Sequence, residues 1–546
     1  MRIEEYRWLS NQPLTRTYME HYSAVGDLYA YDPMAETSLI ERAAWLDASS
    51  GSRPAADRGA LCDVLAAYNR EIGNSAEAMA AIEVLRDPRT LVVVGGQQAG
   101  LFGGPLLVLY KAVTAILSAR SAEAALGRPV VPVFWIAGED HDWDEVNHIQ
   151  VLTDSFAVHK IKLGTAPEKK GPVSGVSVSA EEWEAALQQL DESLMNTEFK
   201  GPLMEQVREL CLSSGSLSDG FAKLMARLFG NYGLILIDSA DPAVRRLEGP
   251  MFSLLAERER ELSGVLLGGQ ERLRGLGYEP QAEVRAEQAN LFIVHEGERL
   301  LLSVSADGGY TDKRGALRLT GEELAAIARD KPELLSNNVM TRPLMQDYLF
   351  PVLSVVLGGS EIAYWGLLKD AFAFFGMQMP VLLPRMEFTL VEGTLQKQMK
   401  KYELDFEAVI REFDRRKQAW LDAQGSLQLA GKFADVKEKF ADLYKPVVDA
   451  VGELNPGMRK LAETNMQKLL EQIEFLETRA GEAFESQFET ALRHWERLRV
   501  SLLPLGKPQE RVFNAFAYLV KYGDGWLKEL LSTPMQPDGR HRIVYF

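Results

Sequence analysis

Leu91-Val92-Val93-Val94 is a short β-branched run that stops at Gly95-Gly96, and a second apolar run, Pro129 to Ile136, stops at Ala137-Gly138. Between them PLLVLYKAVTAILSAR carries helical spacing and opens with Pro105 in its first turn. Strand, loop, helix and strand in so short a span form a βαβ unit, which commits the chain to an α/β fold. Two further runs fit the same sheet: Leu234 to Ile237, ending in Asp238, and Pro380 to Leu383, ending in Pro384-Arg385. Their unbroken apolar character predicts parallel strands covered by helices on both faces.

Around these strands the texture changes. Residues 1 to about 88 read as helices, and the stretches 155–230 and 245–335 read as insertions into a core spanning 1–386. From 387 to 503 the chain is charged and helical. There Met466, Leu469, Ile473, Leu476 and Ala480 follow a heptad seam that resumes one residue later at Phe484, Phe488, Ala491, Trp495, Leu498 and Leu502. A helix of about 45 residues would reach roughly 65 to 70 Å, and Asn455-Pro456-Gly457 marks a turn before it. The expectation is an antiparallel coiled-coil hairpin, followed by a helical segment over 504–546 that returns to the core.

Composition removes several classes of function. Sixty Lys and Arg against 77 Asp and Glu leave a formal charge of −17, which disfavours nucleic acid and anionic membrane as partners. Two cysteines, Cys62 and Cys211, cannot supply a disulfide framework and read as ordinary thiols. The opening MRIEEYRWLS lacks the apolar core of an export signal, and the longest apolar stretch, Leu349 to Leu357, is too short to span a bilayer. A soluble cytoplasmic protein is expected.

Chemistry concentrates where the strands end. Gly95 to Pro105 (GGQQAGLFGGP) follows a strand and precedes a helix, so Gln97, Gln98, Gly100, Gly103 and Gly104 are candidates for holding an anionic group. It has neither a Walker loop nor a dinucleotide fingerprint, and a tight turn is the alternative. At the second strand end, GEDHDWDEVNH gathers His141, Asp142, Trp143 and Asn147. Helical spacing would also align His141, Glu145 and His148, which keeps a metal- or base-assisted hydrolase open. Asn338 and Arg342 in NNVMTRPLMQD, Tyr364 and Trp365 in GGSEIAYW, and Arg385 complete the candidate binding residues, with Arg342 suited to a carboxylate or phosphate. A nucleotide-binding coiled-coil scaffold without catalysis is a third reading.

Taken together, GGQQAGLFGGP, VPVFWIAGEDHDWDEVNH, NNVMTRPLMQDYLFP, GGSEIAYW and PRMEFTLVE resemble the cysteine ligase family of bacillithiol biosynthesis, in order and over essentially the whole chain. The resemblance implies a Rossmann-like core similar to class I aminoacyl-tRNA synthetases, with connective insertions and a coiled coil used for homodimerisation. It implies ligation of L-cysteine to the amine of glucosaminyl-malate, with ATP as activator and no metal. His141, Asp142 and Asn147 would then face the reacting amine or the amino acid. The synthetase signatures differ here: the stretch Gln97 to Gly104 has no histidine, and Pro384 to Thr389 offers an arginine where lysines would stand.

Overall fold

The computed structural model describes residues 1–7, 12–164, 166–424 and 426–546; Trp8, Leu9 and Ser10 of the N-terminal reading lie outside them. The chain divides into two compact units, Met1–Thr389 with Gln509–Val544, and Leu390–Pro508 with Tyr545–Phe546.

The first unit is built on five parallel strands: β1 (Leu91–Gln97), β2 (Val130–Ile136), β3 (Ile235–Asp238), β4 (Val352–Leu357) and β5 (Val381–Pro384). They lie in the order β5-β4-β1-β2-β3, the doubly wound arrangement of a Rossmann-like domain. β1 pairs with β2 from Leu91 opposite Val130 to Gln97 opposite Ile136. The other edge of β1 pairs with β4, whose register shifts between Val352 and Ser354. All of β2, β3 and β4 are buried along their length, as continuous apolar runs require. The strand β4 is the one that sequence periodicity leaves out. Leu349–Leu357 reads only as an apolar stretch, yet six of its residues are the strand between β5 and β1.

Helix α1 (Leu106–Leu126) returns the chain from β1 to β2 and is buried from Leu106 to Ala119 except at Leu107. The β2–β3 connection carries a two-stranded hairpin, His148–Leu152 with Val158–Lys162. The β3–β4 connection carries two long helices and a five-stranded antiparallel sheet that includes Gln288–His295, Glu298–Val304 and Leu335–Asn337. Both cysteines are free and buried. No helix among the described residues is long and apolar enough to cross a membrane.

The second unit contains a helical hairpin of Ser426–Leu454 and Arg459–Ser486. Asn455 accepts from the Gly457 N–H at the turn. Cross-links run in opposite directions along the two helices: Arg459 to Asp449, Asn465 to Tyr444 and Glu477 to Lys437. The expected unbroken helix to Leu502 is corrected, because Arg459–Ser486 ends and Glu489–Leu502 begins a separate helix. The break falls near the place where the heptad pattern slips by one residue. Beyond it Trp495 is buried against Tyr402 and Phe413, with ring centroids 5.1 and 5.4 Å away. The seam itself divides: Met466 and Ile473 are half-buried, whereas Leu469 and Leu476 are exposed.

Candidate active site

In a doubly wound sheet, ligands bind at the carboxyl ends of the strands where the strand order reverses. Here that point lies between β1 and β4. A cavity of 470 Å³ opens there, lined by Gly96, Gln97 and Gln98 after β1, by Glu139, Asp140 and His141 after β2, and by Val355 to Leu357 of β4. Its far wall is the antiparallel sheet of the β3–β4 connection, through Phe292, Arg299 and Asn337, with Asn338 and Arg342 beside it.

The polar centre of the cavity is a group that motif reading does not find. Lys111 is the only charged side chain in LLVLYKAVTAILSA, the apolar part of α1. It is 2% exposed, and its ammonium donates to Gly96 O at 2.7 Å, Gln97 Oε1 at 2.9 Å and Glu361 Oε2 at 2.6 Å. Burial lowers the Lys111 pKa against the pull of Glu361. Burial raises that of Glu361, but Lys111 and the Gly358 N–H outweigh it and leave the carboxyl below its ordinary value. The signal for Lys111 was present in the sequence as one cation inside an otherwise buried helix face.

The wall after β2 is a chain of charged contacts. Gln98 Nε2 donates to Asp140 at 2.6 Å and to Glu145 at 2.8 Å. Arg299 stacks over Phe292, with 3.7 Å to the ring centroid, and donates to Ser336 Oγ at 3.0 Å and Asn337 O at 2.7 Å. Its Nη1 lies 3.1 Å from His141 Nδ1. A guanidinium can only donate, so Nδ1 accepts and the imidazole proton sits on Nε2. Burial, and then Arg299, lower the His141 pKa. His141 is therefore neutral at neutral pH and presents a donor at Nε2. Behind it Arg245 is held between Glu139 and Glu248, at 2.7 Å from the latter. Burial pushes Glu248 up to about 7 in spite of Arg245.

Of the candidate residues, Gln97, Gln98, His141, Asn338 and Arg342 line this cavity together. Arg342 donates Nη1 to Gln346 Oε1 at 3.0 Å and has no carboxylate partner among the described residues. Asn338 is a turn organiser whose Oδ1 accepts from the Met340 and Thr341 N–H groups.

The others are placed elsewhere, each for a physical reason. Asp142 caps the four-residue helix Trp143–Val146, accepting from Glu145 N at 3.3 Å. Trp143 is buried in the apolar cluster of the β2–β3 connection, and Asn147 is buried where that helix ends. Trp365 is fully buried in the main core, and Tyr364 packs against that core beside Arg342. Arg385 is 3% exposed and forms a two-pronged pair with Glu510 at 2.5 and 2.9 Å, so its charge is already satisfied. From the acidic run after β2 it is Glu139 and Asp140 that reach the cavity, in place of Asp142, and Glu283 and Glu361 line it as well.

The glycines of the β1–α1 loop build a turn. The N–H groups of Gly100, Gly103 and Gly104 donate to Gln98 O, Gly100 O and Leu101 O, and that of Leu106 to Phe513 O. Asn514 Nδ2 clamps the loop through Phe102 O at 2.9 Å and Gly104 O at 2.5 Å. Gly103 and Gly104 have φ of 86° and 69°, and a Cβ on Gly100 would lie 2.7 Å from Gly104 Cα. These four amides are spent internally, so they are not free to hold a phosphate. The spacing that could have aligned His141, Glu145 and His148 is not realised either, since His141 precedes the short helix and His148 begins a strand. Among the described residues no group of three or more His, Cys, Asp or Glu could hold a metal ion.

Comparisons with known proteins agree on one family. Residues 1–386 match the model described as "Bacillithiol biosynthesis BshC, N-terminal Rossmann-like domain", and residues 388–546 match "Bacillithiol biosynthesis BshC, C-terminal coiled-coil domain". Three relatives are named "Putative cysteine ligase BshC". One from Geobacillus thermodenitrificans is 38% identical over 90% of each chain, one from Geobacillus kaustophilus 37% over 95% of each, and one from Geobacillus sp. WCH70 35% over 100% of each. Among solved structures, a chain described as a "putative arginyl t-RNA synthetase" from Campylobacter jejuni covers 80% of this chain and 99% of its own. At 10% identity and a TM-score of 0.22 it carries no weight for fold or function.

Proposed function

The chain belongs to the BshC family of bacillithiol biosynthesis, and from that premise we propose that it joins the carboxyl carbon of L-cysteine to the amine of glucosaminyl-malate in the cavity between β1 and β4. The observation that carries the proposal is Arg342. It is a half-buried cation in that cavity with no paired carboxylate among the described residues, which suits it to the malyl carboxylates in a two-pronged grip. Asp140 also lines the cavity, where its carboxylate can accept the proton that the substrate ammonium must lose before its nitrogen attacks. His141 Nε2–H is a donor for a carbonyl oxygen on which charge builds as the C–N bond forms.

An unactivated carboxylate has no adequate leaving group, so the reading includes ATP as activator on chemical grounds. No step is assigned to the β1–α1 turn, where the amides of Gly100, Gly103, Gly104 and Leu106 are occupied. The proposal also includes a homodimer. Leu443, Leu461, Phe475 and Leu476 are 76, 63, 57 and 59% exposed on the hairpin, and a second copy would remove that apolar surface from water. The test is reconstitution of purified protein with L-cysteine, glucosaminyl-malate and ATP. Bacillithiol should appear, and Arg342→Met should raise the KM for glucosaminyl-malate about tenfold or more while leaving that for cysteine nearly unchanged.

A further inference from the structure

Three side chains that line the cavity carry polar atoms with no partner inside the protein: the indole Nε1 of Trp135, the side-chain Nδ2 and Oδ1 of Asn337, and Nε2 of Gln346. Each of the three residues is only 1% exposed. A buried donor or acceptor left unmatched is costly, and native proteins keep few of them. Several around one cavity, at the switch point of the sheet, form a set of contacts kept for something that enters.

Their chemistry narrows what that is. The indole only donates, and the Gln346 amide is oriented because its Oε1 already accepts from Arg342, which leaves Nε2 as a donor. Asn337 adds one donor and one acceptor. It is held rigidly: its strand pairs with Leu291, and its carbonyl accepts from Arg299 at 2.7 Å. The set is neutral and mixed, unlike the cation that a carboxylate or phosphate calls for. Hydroxyl groups, which both donate and accept, match it.

We propose that Trp135, Asn337 and Gln346 form a subsite that reads the hydroxyls of a sugar ring, next to the cation that takes the carboxylates. On the functional reading above, on which this rests, the ring is the glucosaminyl group of the acceptor. The ribose of ATP offers the same chemistry, and the experiment separates the two sources.

The experiment is isothermal titration of wild-type protein and of Trp135→Phe, Gln346→Met and Asn337→Leu with glucosaminyl-malate and, separately, with ATP, alongside thermal melting of each free protein. Gln346→Met and Asn337→Leu remove polar atoms while keeping bulk close, whereas Trp135→Phe also gives up part of a buried ring and is read by binding alone. Each variant should bind the hydroxylated ligand about threefold to tenfold more weakly, as loss of a hydrogen bond to a neutral group predicts. Without ligand Gln346→Met and Asn337→Leu should melt at or above the wild-type temperature, since an unmatched polar group has been removed. Weakening confined to glucosaminyl-malate assigns the subsite to the acceptor sugar, and weakening confined to ATP assigns it to the ribose. Variants that fold and bind both ligands as tightly as wild type overturn the subsite and leave the functional reading standing. Wild-type protein that binds no glucosaminyl-malate overturns the functional reading, and the ATP titration alone then decides the subsite. A Gln346→Met or Asn337→Leu variant that melts well below wild type shows that its polar atoms serve the free fold, which contradicts the proposal for that residue.

Discussion

Lys111 Nζ and Glu361 Oε2 lie 2.6 Å apart at the floor of the cavity, joining α1 to the helix that follows β4. Lys111 is buried and Glu361 half-buried, so removing the lysine strands a carboxylate that water partly reaches, at a cost of about 1 to 3 kcal/mol. Lys111→Met should therefore destabilise the fold by that order in chemical denaturation. Lys111→Met with Glu361→Gln should recover a large part of the loss. Equal destabilisation by the single and double variants would contradict a direct coupling.

His141 should not titrate near neutral pH. Its pKa is lowered by burial and by Arg299, so the ring stays neutral until the pH falls below the ordinary histidine range. Arg299→Met removes the cation that holds Nδ1, and the pKa should rise toward the ordinary value. NMR of the imidazole carbons against pH reads both. A His141 that titrates identically in the two proteins would refute the assigned tautomer.

The placement of these residues also shows what the sequence could disclose. The strand ends, the apolar helix between β1 and β2 and the acidic run after β2 were legible, because local periodicity and glycines mark them. Arg299 was not. It lies far along the chain on an insertion strand, and only tertiary folding brings its guanidinium to His141. Arg385 misled for the opposite reason: an arginine at a strand end looks like a ligand contact until Glu510, distant in sequence, occupies it. The strand β4 was hidden because a short buried run has no period to distinguish it.

Asp238 gives a stability change with pH. Burial pushes its pKa up to about 6 from an ordinary 3.8, despite hydrogen bonds from Ser174 and the Ala240 N–H. The folded state then holds this proton more tightly than the unfolded chain, so the contribution is complete below the ordinary value and is lost as pH rises through about 6. Wild type relative to Asp238→Asn should lose about 2 to 3 kcal/mol across that window. Denaturation curves for the two proteins that stay parallel in pH would contradict this.

Gly100→Val should act on the fold. Its side chain would meet Gly104 Cα at 2.7 Å, and overpacking of this kind costs about 1 to 3 kcal/mol. Loss of thermal stability in the free protein is expected. A variant that melts like wild type but no longer binds ATP would restore the anion-binding reading of the loop.

Phe475→Glu with Leu476→Glu places charge on the exposed apolar face of the hairpin. Sedimentation should shift from dimer to monomer, with the helical content unchanged. A wild-type chain that sediments as a monomer at tens of micromolar would refute the homodimer.

The ligase reading is tested most directly in cells that make glucosaminyl-malate but lack their own enzyme for the final step. Mass spectrometry of thiol extracts should show glucosaminyl-malate falling and bacillithiol appearing when this chain is expressed, and both changes slowed with Arg342→Met at equal protein level. Accumulated glucosaminyl-malate with no bacillithiol, from soluble wild-type protein, would contradict the account.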